Sequence, residues 1–275
     1  MVGKLIVVGT PIGNLGDMSD RMKETLSMVD FIAAEDTRVT VKLLNYLDIK
    51  KPMISYFEHN KNQKGEYICN RIMGGETCAL VSDAGMPAIS DPGQELVSQC
   101  AERGIEVTVI PGPCAFVSAL AVSGLNSGRF TFEGFLSVTK KNRFTHLNSL
   151  NHEEGTIIFY EAPHKFLRTI KDLFEVLGDR KIAVVRELTK VHEEVVRTTL
   201  KEAIEKYTKS PIKGEIVLII EGYKNNKKEQ YTLNEAVCIA SGLIEKGYTI
   251  LEASKMVAKD TGIRKSDIYK GLTEI

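Results

Sequence analysis

The chain has 275 residues, 43% hydrophobic and 26% charged, with 36 basic side chains balanced by 36 acidic ones. This is the composition of an ordinary soluble globular protein, long enough for two domains. A net charge of zero excludes recognition of nucleic acid by global charge, so any such partner must be met by local patches. No apolar run approaches bilayer length, and the N-terminus MVGKLIVVGT enters a strand-like segment without a signal-peptide layout, so a cytoplasmic protein without membrane contact is expected. Five scattered cysteines, mostly inside apolar segments, form neither a disulfide framework nor a CxxC metal site, and no metal is expected.

Lys4 to Val8 reads as a buried strand followed by the glycine-rich turn GTPIGNLGD and a helix to about Met28, capped by Ser19 or Asp20. The turn is neither GxGxxG nor a P-loop, which leaves the usual nucleotide-binding readings weak and removes nucleotide hydrolysis. Phe31 to Ala34 is a second strand, ending in Glu35-Asp36-Thr37-Arg38 before a helix through Leu47. Those acids fit a helix N-terminus as well as a substrate-contacting cluster. Met53 to Tyr56 and Cys78 to Val81 are further strands, with a charged helix between them. The loop SDAGMPAISDPG then concentrates Gly85, Pro87, Pro92 and Gly93 between Asp83 and Asp91, residues that hold one backbone shape and let other groups approach it. A helix to about Arg103, a strand over Glu106 to Ile110, the loop PGP and a small-residue helix to Ser123 follow. Strands alternating with helices predict an α/β fold with a mainly parallel sheet, and special loops after four strands mark one edge of it as a binding edge.

A composition change places a domain boundary near Gly124, giving an N-terminal α/β domain (1–124) and a C-terminal one (125–223) with a mainly parallel or mixed sheet. Here FTFEGFL alternates like a strand, a basic helix follows Thr139, and strands are predicted over Thr156 to Tyr160, Lys181 to Val185, Val195 to Thr199 and Glu215 to Glu221. Unusual residues again follow strands: Glu161, Pro163 and His164, then Arg186, Glu187, Lys190 and His192. Two such halves facing a cleft would unite both sets of loops. A lysine-rich linker, 224–230, leads to a small helical, helix-turn-helix-like tail over 231–275, equally readable as an appendage packed on the body.

GTPIGNLGD, AEDTR, SDAGMPAISDPG, PGP, YEAPHK, RELTK and GEIVLIIEG, in this order and spacing, closely resemble the ribosomal RNA small-subunit methyltransferase I family, within the tetrapyrrole (corrin/porphyrin) methylase superfamily. The resemblance covers residues 3 to about 222. It implies S-adenosylmethionine bound between two α/β domains, methyl transfer to the ribose 2′-oxygen of a cytidine in the decoding region of 16S ribosomal RNA within the small subunit, and a homodimer. Carried over by position, it implies cofactor contacts from Pro11, Val81, Asp83, Met86, Cys114 and Ala115, and from Tyr160, Glu161, Ala162, Gly214, Glu215 and Ile216.

A 2′-hydroxyl is a poor nucleophile while protonated, so an acid–base group or an alkoxide partner is sought among Glu35, Asp36, Glu161, His164, Glu187 and Lys190, with Arg38, Arg186 and Lys190 as cationic partners. Three basic runs could meet RNA: Lys140, Lys141, Arg143 and His146; His164, Lys165, Arg168 and Lys171; and Lys224, Lys227 and Lys228. Each also reads as a solvated face. Two alternatives stay open, a tetrapyrrole methylase and a non-catalytic RNA-binding protein that uses the tail; DNA is not an expected partner.

Overall fold

The computed structural model describes residues 2–224 and 231–273. Lys227 and Lys228 lie outside the described residues. The chain divides into two compact units, Met1–Tyr223 and Lys224–Ile275. Among the described residues no helix is long and apolar enough to cross a membrane.

The first sheet of the larger unit comprises β1 (Lys4–Val8), β2 (Phe31–Ala34), β3 (Met53–Ser55), β4 (Cys78–Val81) and β5 (Glu106–Ile110). All are parallel, in the order β3-β2-β4-β1-β5. Helices α1 (Asp20–Met28), α2 (Thr37–Tyr46), α3 (Lys61–Met73) and α4 (Gln94–Glu102) make the crossovers that parallel strands require. Leu5, Val7, Phe31, Ala33 and Leu80 pack under α3 and α4, whereas Ile6, Val8, Ile32, Ala34 and Val81 pack under α1 and α2. Burial on both faces is why these strands read as unbroken apolar runs.

The second sheet follows α5 (Ala115–Ser123). It takes β6 (Phe130–Phe135), α6 (Lys140–Ser149), β7 (Thr156–Glu161), α7 (Pro163–Leu177), β8 (Lys181–Arg186), β9 (Glu194–Thr199), α8 (Leu200–Lys209) and β10 (Ile216–Ile220). Its order is β6-β7-β10-β8-β9, with only β6 and β7 parallel. One face packs on α6, α7 and α8 through Leu147, Phe166, Ile170, Leu173 and Ala203. The other packs on α5, whose Ala119 and Leu120 meet Ile158, Ala183, Val217 and Ile219. Helix α5, on the N-terminal side of the break expected at Gly124, therefore belongs by packing to the second sheet. The Arg197 guanidinium fastens it there, donating from Nε to the Ser123 carbonyl at 3.0 Å and also to that of Val122. Helix α8 was not anticipated, although Leu200, Ala203 and Tyr207 form its buried stripe and Thr199 caps it by accepting the Glu202 N–H.

The smaller unit is three helices, α9 (Leu233–Glu245), α10 (Ile250–Thr261) and α11 (Lys265–Thr273), around Ala236, Ala240, Ala253, Val257 and Ile268. Thr232 with Glu235 and Thr249 with Glu252 form complete capping boxes at α9 and α10.

Candidate active site

Parallel pairing brings the loops after β1, β2, β4 and β5 to one edge. Thr10 and Gly85 exchange backbone hydrogen bonds of 2.9 and 3.1 Å, which joins the loops after β1 and β4. A Cβ on Gly9 would stand 2.7 Å from Cα of Gly112, so the chains leaving β1 and β5 touch backbone to backbone, and only glycine fits there. Between this edge and the strand ends of the second sheet lies a cavity of about 430 Å³, in the size range of small-molecule sites.

Five residues with carboxylate side chains line it, Glu35, Asp83, Asp91, Glu161 and Glu215, and no lysine or arginine does. Three of them adjoin on the first-sheet side. The Asp36 N–H donates to the Asp83 carboxylate at 3.1 Å, and the Asp83 N–H donates to that of Glu35 at 3.3 Å, so the ends of β2 and β4 are cross-linked through carboxylates. Burial raises the pKa of both Glu35 and Asp83. Burial also pushes Asp91 up to about 6, helped by the negative charges of Glu35 and Asp83. Glu161 is already engaged: it accepts its neighbour Ala162 N–H at 2.8 Å and the Thr169 hydroxyl at 2.5 Å.

The opposite wall is anchored by Tyr160, whose hydroxyl accepts the Phe116 N–H at 3.2 Å in the first turn of α5. Burial raises the Tyr160 phenol to about 12 and also raises the Cys114 thiol. Among the described residues, five that are not glycine have positive φ, and four of these belong to two rim loops: Ala88 (67°) and Ser90 (61°) after β4, and Glu187 (50°) and Thr189 (68°) after β8. Such backbone is costly and persists where surrounding contacts over-determine it. Both loops reach across the cleft. A Cβ on Gly13 would lie 2.6 Å from Cγ of Lys190, and one on Gly134 of β6 would lie 3.0 Å from Ser90 Oγ. Glu187 holds its own loop by accepting the Glu215 N–H at 2.9 Å and the Lys190 ammonium at 3.1 Å.

Of the residues named from sequence, Glu35, Asp83, Met86, Cys114, Ala115, Tyr160, Glu161, Ala162, Gly214, Glu215 and Ile216 line the cavity. Pro11 precedes the lining residue Ile12, and Val81 is buried inside the first sheet's core. Asp36 is the cap of α2: it accepts the Arg38 N–H at 2.8 Å and pairs with the Arg38 guanidinium at 2.6 Å, which holds its carboxyl down at about 2. Arg38 and His164 are exposed outside the lining, Arg186 is paired with Glu194 at 3.1 Å, and Lys190 bridges Glu187 and Glu215. Asp91, Ile89, Phe135 and Leu188 line the cavity without having been singled out as cofactor or catalytic residues. For Asp91 the signal was present, since it flanks the same rigid loop as Asp83.

One basic run changes meaning. Arg143 is 3% exposed, pairs with Asp172 at 2.7 Å and donates to the carbonyls of Ser137 and Val138, while His146 pairs with Glu133 at 2.8 Å. Lys140, Lys141, Arg168 and Lys171 are exposed.

Two α/β lobes meet at this loop-lined cavity, an architecture found in known proteins. The crystal structure of the methyltransferase CobJ shares this fold with a TM-score of 0.60 at 16% identity, over 80% of this chain and 94% of that one. The family described as Tetrapyrrole (Corrin/Porphyrin) Methylases matches residues 4–204. Ribosomal RNA small subunit methyltransferase I of Synechocystis sp. is 47% identical over 270 residues, 98% of this chain and 97% of the relative. The protein of that name from Thermotoga maritima is 48% identical over 221 residues, which is 80% of this chain and 99% of its own length. The chain belongs to the ribosomal RNA small subunit methyltransferase I family, a branch of the tetrapyrrole methylases.

Proposed function

We propose that this methyltransferase uses S-adenosylmethionine to methylate the ribose 2′-oxygen of a cytidine in the decoding region of 16S ribosomal RNA. The observation that carries the donor assignment is the cavity wall, which offers five carboxylate side chains and no cationic one. An acceptor-rich, cation-free lining suits a positively charged ligand that bears an ammonium group and ribose hydroxyls. Asp83, Met86, Cys114 and Ala115 would hold the donor from one lobe, and Tyr160, Ala162, Gly214, Glu215 and Ile216 from the other.

The bound donor supplies a methyl group activated on a sulfonium sulfur. The protein's residues then have three tasks. The two rim loops, strained and in contact with the opposite lobe, fix the width of the cleft and so the approach of the acceptor hydroxyl; such positioning is worth about 7–11 kcal/mol in favourable cases. Half-buried Tyr160 and Leu188, with the exposed ring of Phe135 at the mouth, supply the apolar lining around the reacting atoms that helps to exclude water once the cleft is filled. Asp91, whose carboxyl burial pushes up to about 6, takes the proton from the acceptor hydroxyl on a carboxylate oxygen, a contribution of about 10²–10⁴ in rate. Asp36 and Glu161 are committed to structural partners and are poor bases here.

The protein acts in the cytoplasm, as a homodimer, on the assembled small subunit. Val109 on the edge strand β5 and Val117 and Val122 on α5 are exposed and supply apolar surface for a second copy. The experiment is transfer of labelled methyl to small subunits from a strain lacking the protein, with a tetrapyrrole as parallel acceptor. Label in the subunits alone supports the reading, whereas label in the tetrapyrrole replaces it with the small-molecule methylase.

A further inference from the structure

The last fifth of the chain is not accounted for by the cavity. The Thermotoga relative aligns over 99% of its own length while matching only 80% of this chain, so a family member does without a counterpart to about a fifth of it. The unit Lys224–Ile275 nevertheless has its own core and two capping boxes, and is built to hold a shape.

That shape presents one unusual surface. Helices α10 and α11 are joined by the three-residue turn 262–264, with Gly262 left-handed at φ 73°, the length and turn chemistry of a helix-turn-helix. Ile268 faces the core, and a Cβ on Gly271 would stand 2.5 Å from Val237 Cγ2, so α11 lies hard against α9 along that side. Ser266, Tyr269, Lys270 and Thr273 are all exposed, spaced i, i+3, i+4 and i+7 along one helix stripe. Lys255 in the middle of α10, Lys259 in its last turn, and Arg264 and Lys265 at the turn are exposed and precede it in the chain. Among the described residues none of these cations has an ion-pair partner, while Glu235 and Glu252 are spent on helix caps. An exposed stripe of hydroxyls, an aromatic ring and unpaired cations fits phosphates and unstacked bases.

We infer that α11, with the turn before it, is an RNA-docking surface that grips the ribosomal RNA outside the methylated nucleotide. It rests on the ribosomal RNA reading above and assigns the acceptor's affinity to a unit separate from the chemistry. The test uses the full chain carrying Lys265→Ala with Lys270→Ala, the charge reversal Lys265→Glu with Lys270→Glu, Tyr269→Ala, and Tyr269→Phe. Filter binding to extracted small-subunit RNA across a salt series is the first readout. The double alanine variant should bind about tenfold more weakly, with a salt slope smaller by about 1.5–2. Charge reversal should weaken binding further, and Tyr269→Phe should restore what Tyr269→Ala loses. In steady-state methylation of small subunits the same variants should raise KM by a similar factor and leave kcat and donor affinity unchanged. RNA binding within twofold of wild type for every variant overturns the inference, as does a loss shared equally with duplex DNA of matched length. RNA binding that depends on α11 without methyl transfer would instead sink the catalytic reading and leave the docking surface standing.

Discussion

Asp91, Glu35 and Asp83 share one wall of the cavity, and burial raises all three carboxyl pKa values, Asp91 to about 6. The direction fixes a pH dependence. An acid whose folded pKa lies above its ordinary 3.8 stabilises the fold most at pH below that value, and the contribution is lost as pH rises toward 6. Asp91→Asn should therefore match wild type in unfolding free energy by urea denaturation near pH 4 and exceed it at pH 7.5, by on the order of 1 kcal/mol once solvent screening of this half-buried carboxyl is allowed for. A variant less stable than wild type at pH 7.5 would show that the carboxylate has a partner that outweighs its burial. Asp83 has a second duty, since its carboxylate accepts the Asp36 N–H. Asp83→Asn keeps an acceptor there and removes the charge, so calorimetry with S-adenosylhomocysteine and S-adenosylmethionine should show a loss of about tenfold or more for the cationic ligand and a smaller one for the neutral product.

At the scale of elements, the strands and the loops after them were legible because parallel strands buried on both faces leave apolar runs and abrupt polar ends. Helix α8 was not, since LKEAIEKYTK is polar on most of its surface and its stripe of Leu200, Ala203 and Tyr207 is thin. The basic helix α6 was misread for a related reason: spacing shows that a residue is charged, but not which way it points. Arg143 faces inward to Asp172. Arg143→Ala should then destabilise the protein by about 3–5 kcal/mol through the carboxylate it strands, and Arg143→Met with Asp172→Leu should recover much of that. Thermal unfolding of both variants checks it, and a neutral Arg143→Ala would return Arg143 to the surface. The strained loops were half legible: their glycines and prolines announced a fixed shape, while the left-handed Ala88, Ser90, Glu187 and Thr189 carry residue types that give no such warning.

For the molecule as a whole, motif order revealed the family and most of the cavity lining, because residues that meet at a strand edge are quoted in the loops themselves. What sequence left out is which side chains pair off and which ones reach the cavity. Asp36, Arg186 and Lys190 find partners that use them up, and Asp91, Phe135 and Leu188 come to the cavity from loops and strand ends read for other reasons. In the proposed function, one cavity serves methyl transfer to a ribose oxygen. The most direct test of this is mass spectrometric mapping of small-subunit RNA from a strain lacking the protein and complemented with wild type, Asp83→Ala or Asp91→Ala. Wild type should restore a single 2′-O-methylated cytidine, with methylation lost in Asp83→Ala and reduced about 10²-fold or more in initial rate in Asp91→Ala. An unmethylated ribose in the wild-type complement, or full methylation with both carboxylates gone, would contradict it.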